Sequence, residues 1–277
     1  FSVSYLRRES AAHWTALSKD RQYFALFHLF LFTMFVAAGA NNVLLLWIAV
    51  EATTLTSAFL VNFFDRAAAI EAAWKYMIIN TVALLLGLFG VFLFIGAVEQ
   101  AELSFALDWA SIALAAPLLD VMLIKIAFVF MVIGYGTKAG LAPLHNWLPD
   151  AHSQAPSPVS ALLSGALLNI ALLALLRFKA IVDVTAGPEC SQTILVAFGV
   201  ISIVVASALI LTQKHYKRLL AYSSVEHMGI IALGFALGGV AAVAALLHAL
   251  YHSLAKAMLF LSSGNILLRY QVTEIHK

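Results

Sequence analysis

An all-α membrane protein of about eight transmembrane helices follows from three features of the sequence: its composition, the length of its apolar runs and the absence of strand-like alternation. Hydrophobic residues fill 63% of 277 positions, charged residues only 11%, and the mean hydropathy is +0.96. That composition makes lipid the solvent. In hydrocarbon every backbone polar group must be satisfied within the chain, which leaves helices or closed barrels. The apolar runs here are about 20 residues long, whereas barrel strands alternate over about 10, so helices are selected.

Hydropathy places candidate spans at about 22–39, 42–63, 70–97, 119–142, 158–177, 192–212, 219–238 and 241–268. They form one transmembrane domain, 22–268, between an N-terminal segment, 1–21, and a chain end, 269–277. The loops are short except for an acidic stretch with Glu99, Glu102 and Asp108 and a linker with Asp183, Pro188 and Glu189. One side carries Arg7, Arg8, Lys19, Arg21, Arg66, Lys214, Lys217, Arg218, Arg269 and Lys277; the other carries only Arg177 and Lys179. Positive loops stay in the cytoplasm, so both ends are expected there.

A formal net charge of +2, without basic clusters interleaved with aromatics, sets aside a nucleic acid partner. The single cysteine, Cys190, excludes an internal disulfide and a cysteine-ligated metal or iron–sulfur centre. No cofactor and no catalytic centre are expected in this chain. Any redox centre that drives it belongs to other subunits. The opening residues, with Arg7, Arg8, Glu9, Lys19 and Asp20, are not a cleavable signal peptide.

Four basic residues fall inside candidate spans: Lys75, Lys125, Lys138 and Lys256. A charge at mid-bilayer costs at least about 2.5–3.5 kcal/mol, so each needs a partner, water or a function. Lys75 and Lys125 lie about one turn into their spans, where snorkelling to the interface is the alternative. Lys138 sits in Gly134-Tyr-Gly-Thr-Lys-Ala-Gly-Leu-Ala-Pro143. Three glycines and a proline predict a break in the fourth span beside the lysine. Broken helices at membrane depth recur in ion pathways.

Glu51 lies near the middle of the second span, and a lysine beside it would make a pair that is either both charged or both neutral. The alternative is a protonated glutamate bonding between helices. His248, His252 and Lys256 follow at steps of four, which keeps them within about 80° of one helix face. The spacing also suits zinc, but no third ligand is evident, and a proton wire fits better. Histidines satisfied between helices are the alternative. Glu226 and His227 are adjacent and point about 100° apart, so one can gate a path while the other pairs with a neighbouring helix. Residues 141–160 hold four of the six prolines and are expected to form a rigid, non-helical corner. Asp150 and His152 in it are a proton inlet or a solvated turn.

The runs GYGTKAGLAPLHNWLPDAHSQAPSPVSALLSG, KRLLAYSSVEHMG and HALYHSLAKAMLFLSSGNI resemble the antiporter-like, proton-conducting membrane subunits of complex I and the membrane-bound hydrogenases, closest to the hydrogenase-4 and formate hydrogenlyase branch. The resemblance covers about residues 30–268. It implies two inverted five-helix repeats, each with a broken helix, and a bacterial or archaeal inner-membrane location. It further implies a proton relay through Glu51, Lys75, Lys138, His248, His252 and Lys256, with Lys75 the weaker match. Other membrane subunits and a peripheral redox arm, hydrogenase-like or NADH/quinone type, are the implied partners. Leu163-Ser164 stand where many relatives have a histidine, and the chain stops at Lys277, before the second broken helix. The expectation is therefore a fragment, a truncated product or a divergent short form, with one complete repeat and part of the second. A sodium/proton antiporter subunit, a non-conducting scaffold and a standalone solute transporter are the rival readings.

Overall fold

The computed structural model describes Tyr5, residues 17–101 and residues 107–275. Arg7, Arg8, Glu9, Glu102 and Lys277, used in the charge and loop readings above, lie outside the described residues. The described helices are α1 (Leu17–Gly39), α2 (Val43–Val61), α3 (Ala67–Gln100), α4 (Trp109–Ala115), α5 (Val121–Lys138), α6 (Trp147–Gln154), α7 (Ser157–Ala186), α8 (Pro188–Ile210), α9 (Tyr216–Leu237) and α10 (Gly239–Tyr270). Eight of them are long and apolar enough to cross a membrane; α4 and α6 are the short ones. Large apolar side chains point outward on the long helices, Phe35, Phe59, Val204, Leu246 and Met258 among them, while Lys138, His152 and Lys256 are buried. This arrangement inverts that of a soluble protein, and the chain is a multi-pass helical membrane protein.

Two regions taken as connections are partly helical. In the acidic stretch, Asp108 accepts a hydrogen bond from the Ser111 amide (3.0 Å) and caps α4. The linker after the fifth span shrinks to one residue: α7 runs on to Ala186, Gly187 turns the chain at φ +76°, and Pro188 opens α8. Glycine adopts that left-handed angle without penalty, and proline at a first helical position forfeits no hydrogen bond.

The break beside Lys138 is present, by a different mechanism from the one expected. α5 ends in a Schellman turn, in which the Gly140 amide bonds Thr137 O (3.0 Å) and the Leu141 amide bonds Gly136 O (2.9 Å). Gly140 sits at φ +79°, so the left-handed cap terminates the helix before Pro143 is reached. Gly134 serves a different purpose. Its backbone lies against Gly87 of α3, where a Cβ on Gly134 would come within 2.7 Å of Gly87 Cα. Small residues at such crossings let helices approach closely where no hydrophobic effect drives them together.

The corner expected to be non-helical contains α6. Pro149 falls in its first turn, where the missing amide has no intrahelical partner to lose. α6 lies between α3 and α9, and α7 packs against α5 along one part and α10 along another. A π-helical turn, Leu163–Leu167, interrupts α7 between those two contacts. α8 and α9 cross at Gly199 and Gly229 as α3 and α5 do at Gly87 and Gly134.

Gly134→Ala is expected to destabilise the protein by about 1–3 kcal/mol, the usual cost of overpacking. The readout is the unfolding midpoint in detergent. Gly96→Ala, where an added Cβ meets nothing within 4 Å, is the control and is expected to be neutral or slightly stabilising.

Candidate functional site

The helix stop at Lys138 brings a fully buried ammonium against α2 and α3. Lys138 Nζ donates to Thr54 Oγ1 (2.9 Å) and Tyr76 Oη (2.6 Å) and stands 4.7 Å from the centre of the Tyr76 ring. Tyr76 Oη shares a hydrogen bond with Ser57 Oγ (2.6 Å), and Ser57 in turn donates to the Thr53 carbonyl. A lysine ammonium has three hydrogens to place and accepts none, so the Tyr76 hydroxyl must turn its own hydrogen toward Ser57. The result is an ordered chain from Lys138 through Tyr76 and Ser57 to the backbone.

Glu51 belongs to the same region but does not touch Lys138. Their charged atoms make no ion pair within 4.0 Å, although the two groups interact electrostatically. Thr81 donates to Glu51 Oε1 (2.8 Å), while Oε2 is buried without a hydrogen-bond partner. Thr54, which receives Lys138, is one turn along α2 from Glu51. The direct Glu51–lysine pair expected from the sequence is therefore replaced by neutral hydroxyls on the lysine, with an open carboxylate oxygen nearby.

Lys75 is not part of this group. It is exposed, pairs with Glu71 (2.6 Å) and approaches Asp150 of α6 (3.5 Å), while its neighbour Tyr76 turns inward. Asp150 also pairs with Arg218 of α9 (2.5 Å), so one carboxylate holds α6 between α3 and α9. Lys75 thus lies at the outer end of the polar region, off the line between Glu51 and Lys138. Two residues on from Asp150, His152 is fully buried, stacks on Phe260 (4.7 Å, 15°), and has neither ring nitrogen bonded. Burial, with smaller contributions from Lys256, Lys217 and His252, pushes its imidazole down to about 3.

The second cluster joins α9 and α10. His227 Nδ1 and His248 Nε2 share a hydrogen bond (2.9 Å), and the His252 ring lies 5.5 Å from that of His227. Lys256 Nζ donates to the Leu220 carbonyl (3.0 Å), which also accepts from Ser224 Oγ (3.0 Å). Ser224 meets Ser164 (2.8 Å) on the π turn of α7, so the bulge in that helix carries a hydroxyl to the Lys256 cluster. Glu226 turns the other way and accepts from Ser207 of α8 (3.1 Å), separating it from its neighbour as the helical angle demands. No group of three or more His, Cys, Asp or Glu among the described residues is placed to hold a metal ion.

Sequence reasoning missed Thr54, Tyr76, Ser57, Thr81 and His145. The run Thr53-Thr54-Leu-Thr56-Ser57 in one span was the available signal, because hydroxyls at membrane depth need partners. Tyr76, next to the conspicuous Lys75, had no signal of its own. His145 is buried, and burial holds its imidazole below the usual range against a smaller opposing contribution from the Pro143 backbone.

Titratable groups buried in the spans of a helical bundle are candidates for function, because their burial is costly. The chain belongs to the NADH:quinone oxidoreductase/Mrp antiporter transmembrane family, whose model matches residues 40–277. It is 41% identical over 271 residues to a hydrogenase-4 component F homolog of Methylacidiphilum infernorum, covering 96% of this chain and 56% of that one. It is 35% identical over 250 residues to NADH-quinone oxidoreductase subunit N of Desulforudis audaxviator, covering 88% and 48%. Its fold matches a chain of the membrane-bound sulfane sulfur reductase, an archaeal respiratory membrane complex, with a TM-score of 0.84 and 27% identity over 90% of this chain and 50% of that chain. The chain spans about half the length of the curated relatives it matches.

Tyr76→Phe keeps the ring but removes an acceptor from a buried ammonium, and is expected to destabilise the protein by about 1–3 kcal/mol. In a Lys138→Met background the same change should cost far less, which a double-mutant cycle of unfolding midpoints reads directly. His152 gives a pH prediction. Its folded pKa of about 3 lies below the ordinary value near 6.5, so between the two only the unfolded chain takes up the proton. Stability is expected to fall as pH is lowered through that window, and His152→Gln should flatten the dependence.

Proposed function

We propose that this chain is a proton-translocating membrane subunit of a redox-driven complex, of the hydrogenase-4 or NADH:quinone oxidoreductase kind. It would lie in a bacterial or archaeal inner membrane with both ends of the chain on the cytoplasmic side. The observation that carries the proposal is the burial of two lysines, Lys138 and Lys256, in one bundle without a carboxylate in contact with either. Beside them stand buried polar atoms that make no direct hydrogen bond, Glu51 Oε2 and both ring nitrogens of His152 among them. Buried polar atoms are almost always bonded, to protein or to ordered water, so these positions call for internal water. Water between titratable groups is what a proton relay requires.

In this reading protons reach the bundle at Asp150, where Lys75 and Arg218 meet at a partly exposed carboxylate, and pass inward by His152. Glu51 and Lys138 form one exchange site. When Glu51 is ionised it draws the ammonium from Thr54 and Tyr76; when it is protonated the ammonium returns to the hydroxyls. His227, His248, His252 and Lys256 form the other site, with the shared His227–His248 proton as its mobile element and Glu226 toward α8 as a side gate. The chain supplies no redox centre and binds no cofactor. One charge crossing 100 mV requires about 2.3 kcal/mol, so the driving energy comes from a peripheral redox arm and its membrane partners. The family also includes Mrp antiporters, which makes sodium/proton exchange the second reading.

Lys138→Ala and Lys256→Ala, introduced separately in the intact complex, are expected to abolish proton pumping in reconstituted vesicles while assembly and electron transfer persist. Normal pumping in both variants would leave the subunit a scaffold. Proton flux is expected to be the same with and without sodium; dependence on sodium favours the antiporter reading.

A further inference from the structure

A cavity of about 350 Å³ opens at the end of the bundle where α1 finishes and α2 and α4 begin, the end opposite to that of Asp150. Ala40, Trp109, Ala113 and Arg177 stand in its wall. Arg177 is the one charged side chain there among the described residues. Its guanidinium is fixed by the Ala40 (2.7 Å) and Ala38 (2.8 Å) carbonyls and lies over the Trp109 ring (5.6 Å). A guanidinium does not release its proton in a protein, so this wall has no side chain that could pass one inward.

Aromatic rings lead from that wall to Lys138. Trp109, anchored by its indole to the Ala40 carbonyl (3.1 Å), meets Phe178 of α7 edge to face (5.1 Å, 73°). Phe178 meets Phe94 of α3 in the same manner (5.4 Å, 84°), and Tyr135 of α5 stacks on it from the other side of the path (5.6 Å, 28°). Phe94, Tyr135 and Phe178 are fully buried. Tyr135 lies three residues before Lys138, about one helical turn, and its hydroxyl is buried and makes no direct hydrogen bond. The two ends of the bundle therefore differ in kind. Titratable side chains reach inward from Asp150, whereas from the cavity the contact runs ring to ring. Rings packed at these separations leave no room for a file of water, and apolar constrictions exclude ions by dewetting.

We propose that Phe178, seated between Trp109 and Tyr135, is the seal that closes the Lys138 site to this cavity and so fixes the side of the membrane with which Lys138 exchanges. The proposal rests on the proton-translocation reading, because a pump whose exchange site opens to both sides at once loses the gradient it builds. Tyr135 is the first polar group behind the seal, and its uncommitted hydroxyl ends the polar region that surrounds Lys138.

The test uses the intact complex in vesicles without an electron donor, so that only passive proton movement is read. Phe178→Ala is expected to raise the leak on the order of tenfold, a modest lowering of the barrier. Adding Lys138→Met is expected to remove the increase; a leak that persists without the lysine runs round the site and overturns the proposal. Labelling reads the seal independently of pumping. In a Cys190→Ser background, Ala113→Cys on the cavity wall is expected to react from that side with a small water-soluble methanethiosulfonate. Thr54→Cys, at the Lys138 ammonium, is expected to react from that side only when Phe178 is replaced by alanine. Reaction of Thr54→Cys with Phe178 in place, or neither leak nor labelling in an assembled Phe178→Ala complex, would overturn the seal. Should Phe178→Ala fail to assemble, the two cysteines with the ring in place decide: reaction of Ala113→Cys alone supports the seal and any other pattern overturns it. Normal pumping by Lys138→Ala would instead sink the translocation reading, whatever the labelling shows.

Discussion

A lysine ammonium enclosed in a helical bundle, held by hydroxyls and not by a carboxylate, is the constraint around which this molecule is organised. Placing Lys138 at 0% exposure needs a helix that stops at its own position, so that the side chain can reach α2 and α3. It needs α3 close enough to α5 to deliver Tyr76, which the Gly87–Gly134 crossing provides. It needs a corner helix to close the polar region, and Trp147 of α6 does so by packing its ring at a tilt against Tyr76 (4.9 Å between centroids, 49°) and donating to the Thr137 carbonyl (2.9 Å). Each of these features would be a weakness in a purely structural bundle. Together they enclose one cation.

The absence of a direct ion pair matters for the chemistry. A contact pair in low dielectric is deep and slow to leave, since separating the charges there costs far more than in water. Hydroxyls solvate the ammonium without trapping it, and an open oxygen on Glu51 leaves a second place for the charge to go. At Lys256 a backbone carbonyl, that of Leu220, takes the place of Thr54 and Tyr76, and the same carbonyl accepts from Ser224. Two lysines in one chain, each bonded only to neutral oxygen atoms, suit reversible protonation better than permanent anchoring.

Charged side chains divide by depth. The ion pairs sit toward the ends of the spans or on their exposed faces: Lys19 with Asp65, Lys75 with Glu71 and Asp150, Arg218 with Asp150, Lys179 with Asp183. Deep positions hold lysine and histidine with hydroxyls, carbonyls and unbonded nitrogens. Lys75 belongs to the first group although it falls inside a candidate span, because helical geometry sends it outward and Tyr76 inward.

Composition and run length by themselves determined that the chain is a helical membrane bundle, since lipid permits few alternatives and runs of about 20 apolar residues choose among them. Lys138 and Lys256 were also legible, because a charge in an apolar run stands out at any resolution of reasoning. The break beside Lys138 was legible as an event, but its cause lay in the handedness of Gly140, which residue types alone do not reveal. Only the tertiary structure decided which partners those charges have. Thr54, Tyr76, Ser164 and the Leu220 carbonyl come from distant segments, and their meeting depends on helix crossings and a π turn that one-dimensional periodicity does not encode. Helix α6 escaped for the same reason: Pro149 and the prolines flanking the helix read as breakers in sequence, yet a first-turn position and packing between α3 and α9 make Pro149 compatible with a helix.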